Sequence, residues 1–570
     1  GDGRKVSVQH FDQLGRVRLT RTLEDPLTED PYNERHGINV ETRYKTVDGY
    51  TYQLVSNPFR AATSSQAANE PTMGWTLSTA WSNGRRSEVE TFSGAALPVA
   101  FGGNNTNSTG IVRTDIEANA TTVTDQAGKQ RRSITNSLRQ LIRVDEPDAN
   151  GNLGSIESPL QPTFYSYDVL GNLIRVEQGV QTRMFVYDSL SRLVSATNPE
   201  SGTISYRYDP NGNLTQKTDA RGVVTNYTYE ALNRVTMRSY SGEAGYTTPS
   251  VTYTYDNLPN AKGKLTKVSS SISTTEYTAF DIIGRVTGHR QVTDGVSYGT
   301  GYVYNLAGAV VEETYPSGRK VKNTLDASGD LSMVQSGKCL DAALGTNAAC
   351  INAAGLWSYA RHFSYNAAGA VTGLQLGNGL WESAQFNSRL QPTQIALGAT
   401  QGATNLLKLD YSYGTTNNNG NVLSQTITVP TVGESSGFVA VQTYDYDSLN
   451  RLKQAAEMVA PTGGSPTLSW KQTFVFDRYG NRSFDEGLTT TLPRDCVEAG
   501  NPVVCESVRP VVNPSVNPLN NRFSTGQGWS YDAAGNVTAD PQGRQFTYDA
   551  ENKQVKVESV DICAVVRPVT

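Results

Sequence analysis

YSYDVLGNLIRV (165–176), FVYDSLSRLVSA (185–196), YRYDPNGNLTQK (206–217) and YTYEALNRVTMR (227–238) follow one another along the chain. Their acidic residues Asp168, Asp188, Asp209 and Glu230 recur at an almost constant interval. The Tyr-x-Tyr step, as at Tyr206 and Tyr208, places two rings on one face of an extended strand. The Asp that follows can accept from backbone two residues on and so starts a turn. Gly171 or Gly212 supplies the positive φ that ends it. Leu173 or Leu214 then opens a returning strand. One unit is therefore a β-hairpin with a short loop.

The pattern extends in both directions. It recurs at Asp12, Asp125, Asn136, Asp256, Asp281 with Gly284, Asn305, Asp326, Asn366, Asn387, Asp447, Asp477, Asp532 with Gly535, and Asp549. A second turn signal separates the units, as in NPESG (198–202), TDARG (218–222), YPSGR (315–319) and DPQGR (540–544). A period of roughly 20 residues repeated this often marks an array and not a string of independent domains. Some fifteen units predict about thirty strands in an all-β chain, and no amphipathic helix competes with them. Residues 30–120 are the weakest stretch, although VDGYTYQL near Asp48 reads as a divergent copy.

Composition agrees. In 570 residues there are 52 Gly, 29 Tyr and 15 Phe, and charged residues make up 18%. So many aromatics argue against a disordered, solvating chain. Net charge is −5, with 49 basic and 54 acidic residues. No basic stripe accompanies it, so phosphate-directed nucleic-acid binding is not expected. No apolar run approaches the roughly 18 residues of a membrane span. Lacking both an initiating Met and a signal-peptide pattern, the chain reads as a fragment or processed product.

The pattern resembles the RHS/YD-repeat family, whose core is Y-D-x-x-G-R-L. FDQLGRV, YDVLGNL, YDPNGNL, FDIIGRV, YDSLNRL and YDAAGNV carry the likeness, which extends from about residue 10 to 556. The resemblance implies tandem hairpins in a long spiralling sheet that wraps into a hollow shell, or part of one. Family members include the C component of bacterial insecticidal toxin complexes, polymorphic toxins and the animal teneurins. It implies a non-enzymatic bacterial protein, secreted or at the cell surface. Its partners would be its own C-terminal toxin cargo or other secretion and toxin components. The alternative is an adhesion protein binding cell-surface ligands through outer loops. The toxin members end in a core bearing D-P-x-G-L, an aspartyl autoprotease. Here Asp540-Pro541-Gln542-Gly543-Arg544 has Arg in the last place and QFTYDAEN after it, which favours an inter-repeat turn.

On this reading the chain divides into a divergent N-terminal β region (1–120), a repeat array (121–332), an insert (333–360), a second array (361–483), a Cys/Pro-rich insert (484–527) and terminal repeats (528–570) that lack the family core and cargo. Cys339 and Cys350 bracket one polar loop, and Cys496 and Cys505 another. Two local disulfides and an oxidising compartment are expected. Cys563 is left over. The structural turn residues are Asp168, Gly171, Asp188, Asp209, Gly212, Asp281, Gly284, Asp532 and Gly535.

No catalytic, cofactor or metal site is expected. Gly433 to Gly437 spells G-x-S-x-G, but a strand pattern follows where a nucleophile elbow needs a helix. Glu146, Asp148, Asn150, Gly151 and Glu157 approach a Ca²⁺ loop without flanking helices, and an ordinary polar turn explains them better.

Overall fold

The computed structural model describes residues 6–25, 27–30, 33, 36–60, 70–337, 356–461, 463–490, 492, 494–497, 504–508 and 513–559. Within them the chain is all-β apart from one 3₁₀ turn, Val99–Phe101. A single antiparallel sheet of 37 strands runs from Val6–Phe11 to Arg482–Phe484. From Gly74–Trp81 onward its strands pair in chain order, as in Leu173–Gln178, Gln181–Tyr187 and Leu193–Asn198. The insert beginning after Gly337 does not interrupt the sheet, because Leu331–Gly337 pairs directly with Leu356–Tyr365. Smaller sheets follow: Arg494–Val497 with Val504–Val508, and four strands from Ser530–Tyr531 to Gln554–Glu558.

The strands outnumber those read from the sequence because the N-terminal region also contributes. Ile38–Val47 and Tyr50–Ser56 pair around Asp48 and Gly49, with φ of 52° and 78°. This is a two-residue Asp-Gly hairpin, in which both central residues take positive φ. It is not a copy of the longer repeat turn. A conventional core lies here. Leu54, Phe59, Met73, Trp75, Leu77 and Phe92 are buried together, with Ala95, Leu97, Ala100 and Phe101 packed over them. Asn105 pins that covering loop by donating to the carbonyls of Ser93 and Ala96, both at 2.9 Å.

Elsewhere burial alternates weakly along the strands. Gly202–Tyr208 swings between half-buried and exposed, with no fully buried residue. The sheet is thus a continuous hairpin meander that spirals into a shell wall, and its successive connections alternate between two rims. The repeat turns, such as 168–172, lie on the turn rim. The connections between repeats, such as 179–180, lie on the link rim.

Candidate functional site

Each repeat turn is opened by an Asp, Glu or Asn. In the third quoted unit the Asp209 amide donates to the Asn213 carbonyl at 3.0 Å, and the Gly212 amide donates to the Asp209 carbonyl at 3.1 Å. Asp209 Oδ1 accepts from the Asn213 amide at 2.8 Å, and Oδ2 accepts from the Asn213 side chain at 2.8 Å. Asp168 and Asp532 use Asn172 and Asn536 in the same way. Asp188 and Asp281 receive the guanidinium of Arg192 and Arg285 instead. These donors hold the carboxyls of Asp168, Asp188 and Asp209 below the usual aspartate range. For Asp168 and Asp209 the neighbouring Asn side chain contributes most, and for Asp188 the Arg192 amide does. Gly171, Gly212, Gly284 and Gly535 close their turns at φ of 85°, 88°, 79° and 91°. Ser191 and Asn233 occupy the same place at 60° and 59°. The register slips just before each turn, as between Arg207 and Tyr208. The bulge lets the loop close.

In several units the tyrosine before the turn ties the unit to the one before. The hydroxyls of Tyr208, Tyr229, Tyr255 and Tyr304 donate to the carbonyls of Leu193, Leu214, Val235 and Val286 at 2.8–2.9 Å. The arginine that closes one turn lies over the tyrosine of the next. Arg192 is 5.0 Å from the Tyr208 ring, Arg234 4.4 Å from Tyr255 and Arg285 4.5 Å from Tyr304. Arg192 and Arg285 also donate to the carbonyls of Asp209 and Asn305. Tyr and Arg thus bind each unit to its neighbour in opposite directions, which explains why Y-D and R recur together.

A second set of contacts joins residues 294 to 340 apart in the chain. There the turn rim of the later part of the spiral sits on the link rim of the earlier part. The Asn418 amide donates to the Thr109 carbonyl, and Asn450 donates to Asp125 Oδ2. Ser448 Oγ donates to the Asp148 carbonyl at 2.9 Å, and Arg478 to the Pro162 carbonyl at 2.8 Å. Arg522 Nη2 donates to the Glu200 carbonyl at 2.9 Å, and Arg221 Nη1 to the Asp549 carbonyl at 3.0 Å. These contacts stack one whorl on the next. Lys129 reaches the carbonyls of Tyr446 and Asp447 across the joint, and burial lowers its pKa. A cavity of about 500 Å³ opens beside it, with Asp447, Arg451 and Arg478 in its walls.

The remaining sequence candidates have defined places. Ser435 bridges back to Val432, and strand Phe438–Tyr446 follows, so no elbow forms at 433–437. Asp148 Oδ1 accepts the amides of Asn150 and Asn152, both at 2.9 Å, while Glu146 pairs with Arg131. Among the described residues no group of three or more His, Cys, Asp or Glu side chains could hold a metal ion. Asp540 forms a turn like the others, with Arg544 on its Oδ2. Cys339, Cys350 and Cys563 lie outside the described residues. Cys496 stands opposite Cys505 in the register of its two-stranded sheet.

Sequence reasoning missed the joint. It also assigned 517–522 to a non-repeat insert, whereas Asn517 starts another rim turn that docks on Gln181 and Glu200. No local signal marks such pairs, because their partners lie on the other whorl.

The meander, the Asp-built turns and the Tyr–Arg ladder together define a spiral hairpin wall. Residues 187–222 and 208–244 match the RHS Repeat family model. No curated protein matches it in sequence. Its fold is similar to that in the crystal structure of TcdB2-TccC3-Cdc42, with a TM-score of 0.70 at 14% identity, covering 98% of this chain and 29% of that one. A structure of the Photorhabdus luminescens Tc holotoxin pore is similar at a TM-score of 0.65 and 13% identity, covering 98% and 28%. The chain thus spans less than a third of the length of these solved chains.

Proposed function

We infer that the chain is wall: a non-catalytic segment of a bacterial RHS-repeat shell that encloses or presents a C-terminal toxin polypeptide. The observation carrying this reading is the spiral itself. A sheet that exposes both faces and stacks its own whorls encloses volume without a catalytic centre. The turn carboxylates are engaged by amides, Asn or Arg, and such a group serves as a structural acceptor. The likeness to Tc toxin structures supports toxin or secretion components as partners, and a secreted or surface location. DPQGR at 540–544 is an inter-repeat turn and not an autoprotease.

A second reading, adhesion through outer loops, is favoured by the direct pairing of Leu331–Gly337 with Leu356–Tyr365, which keeps the sheet continuous across the intervening sequence. Loops on such a scaffold can carry recognition. Protease challenge followed by mass spectrometry of the protein from its source distinguishes the two. A second polypeptide that survives protease until the wall is unfolded is the result expected of a capsule. A single polypeptide with nothing protected would move the assignment to adhesion.

A further inference from the structure

A polar cavity of about 450 Å³ lies in the joint where the Asn418 amide meets the Thr109 carbonyl. The link at 106–109 of the earlier whorl forms one wall, and the turn at 387–389 with the loop at 414–418 forms the other. Among the described residues one charged side chain lines it, Arg389. Arg389 takes the third place of its turn, where Leu170, Leu190 and Leu232 stand in others, and Asn387 opens that turn in place of Asp. The exchange leaves a charge over. Arg192, Arg285 and Arg451 each neutralise the aspartate of their own turn, whereas Arg389 has no ion-pair partner among the described residues. Its half-buried guanidinium donates to the Asn418 carbonyl, and burial lowers its pKa with no neighbouring acid to offset the effect. Around the same cavity the hydroxyls of Thr106, Ser108, Ser388, Thr415 and Thr416 and the side-chain amide of Asn107 have no hydrogen-bond partner among the described residues.

A half-buried cation without a counter-charge, among hydroxyl and amide donors with unused capacity, is the donor set of an oxyanion site. A guanidinium meets phosphate or sulfate oxygens with paired N–H bonds, and hydroxyls and amides donate to the oxygens that remain. Donors on two opposed walls suit a tetrahedral group better than a planar carboxylate. We propose that this cavity binds a tetrahedral oxyanion, phosphate or sulfate, either free or carried by a small molecule. Because its ligands come from both whorls, the anion also fastens the joint. The site does not depend on what the wall encloses.

Isothermal titration calorimetry of the full chain with sodium phosphate and with sodium sulfate tests this, at an ionic strength held constant with chloride. Saturable binding of one oxyanion per chain is expected, with a rise in melting temperature. Arg389→Gln should weaken binding at least about tenfold, through loss of a charge-assisted contact. Thr415→Val with Thr416→Val keeps Arg389 and its bond to Asn418. It should weaken binding several-fold and leave the melting temperature in chloride unchanged, and it decides the matter alone if Arg389→Gln does not fold. Glucose 6-phosphate is the third probe. Tighter binding than inorganic phosphate supports the site as one for a phosphorylated small molecule, and equal binding supports it as one for the free ion. No saturable binding of any of the three probes would overturn the proposal. So would undiminished binding in the variants.

Discussion

Alanine at Gly535 should destabilise its hairpin more than alanine at Gly212, although both glycines close the same turn at nearly the same φ. At Gly212 an added Cβ meets nothing within 4 Å, so the cost is backbone strain alone. For an L-residue in a left-handed conformation that is about 1–2 kcal/mol. At Gly535 the φ of 91° imposes the same strain, and the Cβ falls 2.3 Å from the Glu200 carbonyl oxygen of the earlier whorl. That oxygen already accepts from Arg522 at 2.9 Å. Moving it away sacrifices a charge-assisted bond of about 1.5–3 kcal/mol. Hydrogen exchange of the Asn536 and Asn213 amides reads the difference directly, since each donates to its turn aspartate. At about 1.36 kcal/mol per tenfold, Gly535→Ala should speed exchange roughly 10- to 150-fold more than Gly212→Ala does. Exchange at 198–202 should rise only in the Gly535 variant. Equal effects of the two substitutions would refute the stacking of whorls at Glu200.

Other outcomes follow from the same geometry. Tyr208→Phe removes the bond to the Leu193 carbonyl while leaving the ring under Arg192, and should cost about 0.5–1.5 kcal/mol in local opening, read by exchange of the neighbouring strand amides. Asp145→Ala should cost about 3–5 kcal/mol, because it strands the guanidiniums of Arg132 and Arg143, which also hold the loop carbonyls of Gly154, Ser155 and Ile156; thermal melting measures it. Asp168, Asp188 and Asp209 are depressed below the ordinary value of 3.8, so their contribution is present above that pH and lost as pH falls through the lower folded values. Melting temperature should therefore be level near neutrality and fall below about pH 4. Asp209→Asn, whose side-chain oxygen still accepts the amides, should blunt that fall. If Cys496 and Cys505 form the expected disulfide, reduction should shift the mass of the peptide that contains them by two hydrogens, which peptide mapping detects.

The hairpin repeat was legible because its causes are local. Tyr208, Asp209, Gly212 and Leu214 are close neighbours in the chain and shape the same turn. The Tyr–Arg ladder was half legible: Arg192 and Tyr208 recur visibly, but only three dimensions show the ring under the guanidinium. The N-terminal core was not legible, since Leu54, Trp75 and Phe92 follow no repeat. The joint left no trace at all. Arg221, Glu200 and Gln181 look like ordinary surface residues until the spiral returns to them a whorl later. The turn at 517–522, within the 484–527 stretch, was not legible for a related reason: Asn517 stands where an acidic residue would, and no Tyr-x-Tyr strand leads into it.

The central claim is that this sheet is the wall of a shell built by stacking its own whorls. A cryo-EM map of the protein as it comes from its source tests that most directly. The account predicts a spiral wall around a hollow, with consecutive whorls in contact at Glu200–Arg522 and Asp125–Asn450, and density of a second polypeptide inside. An open, unstacked sheet, or an interior with nothing enclosed and only one polypeptide in the sample, would contradict it.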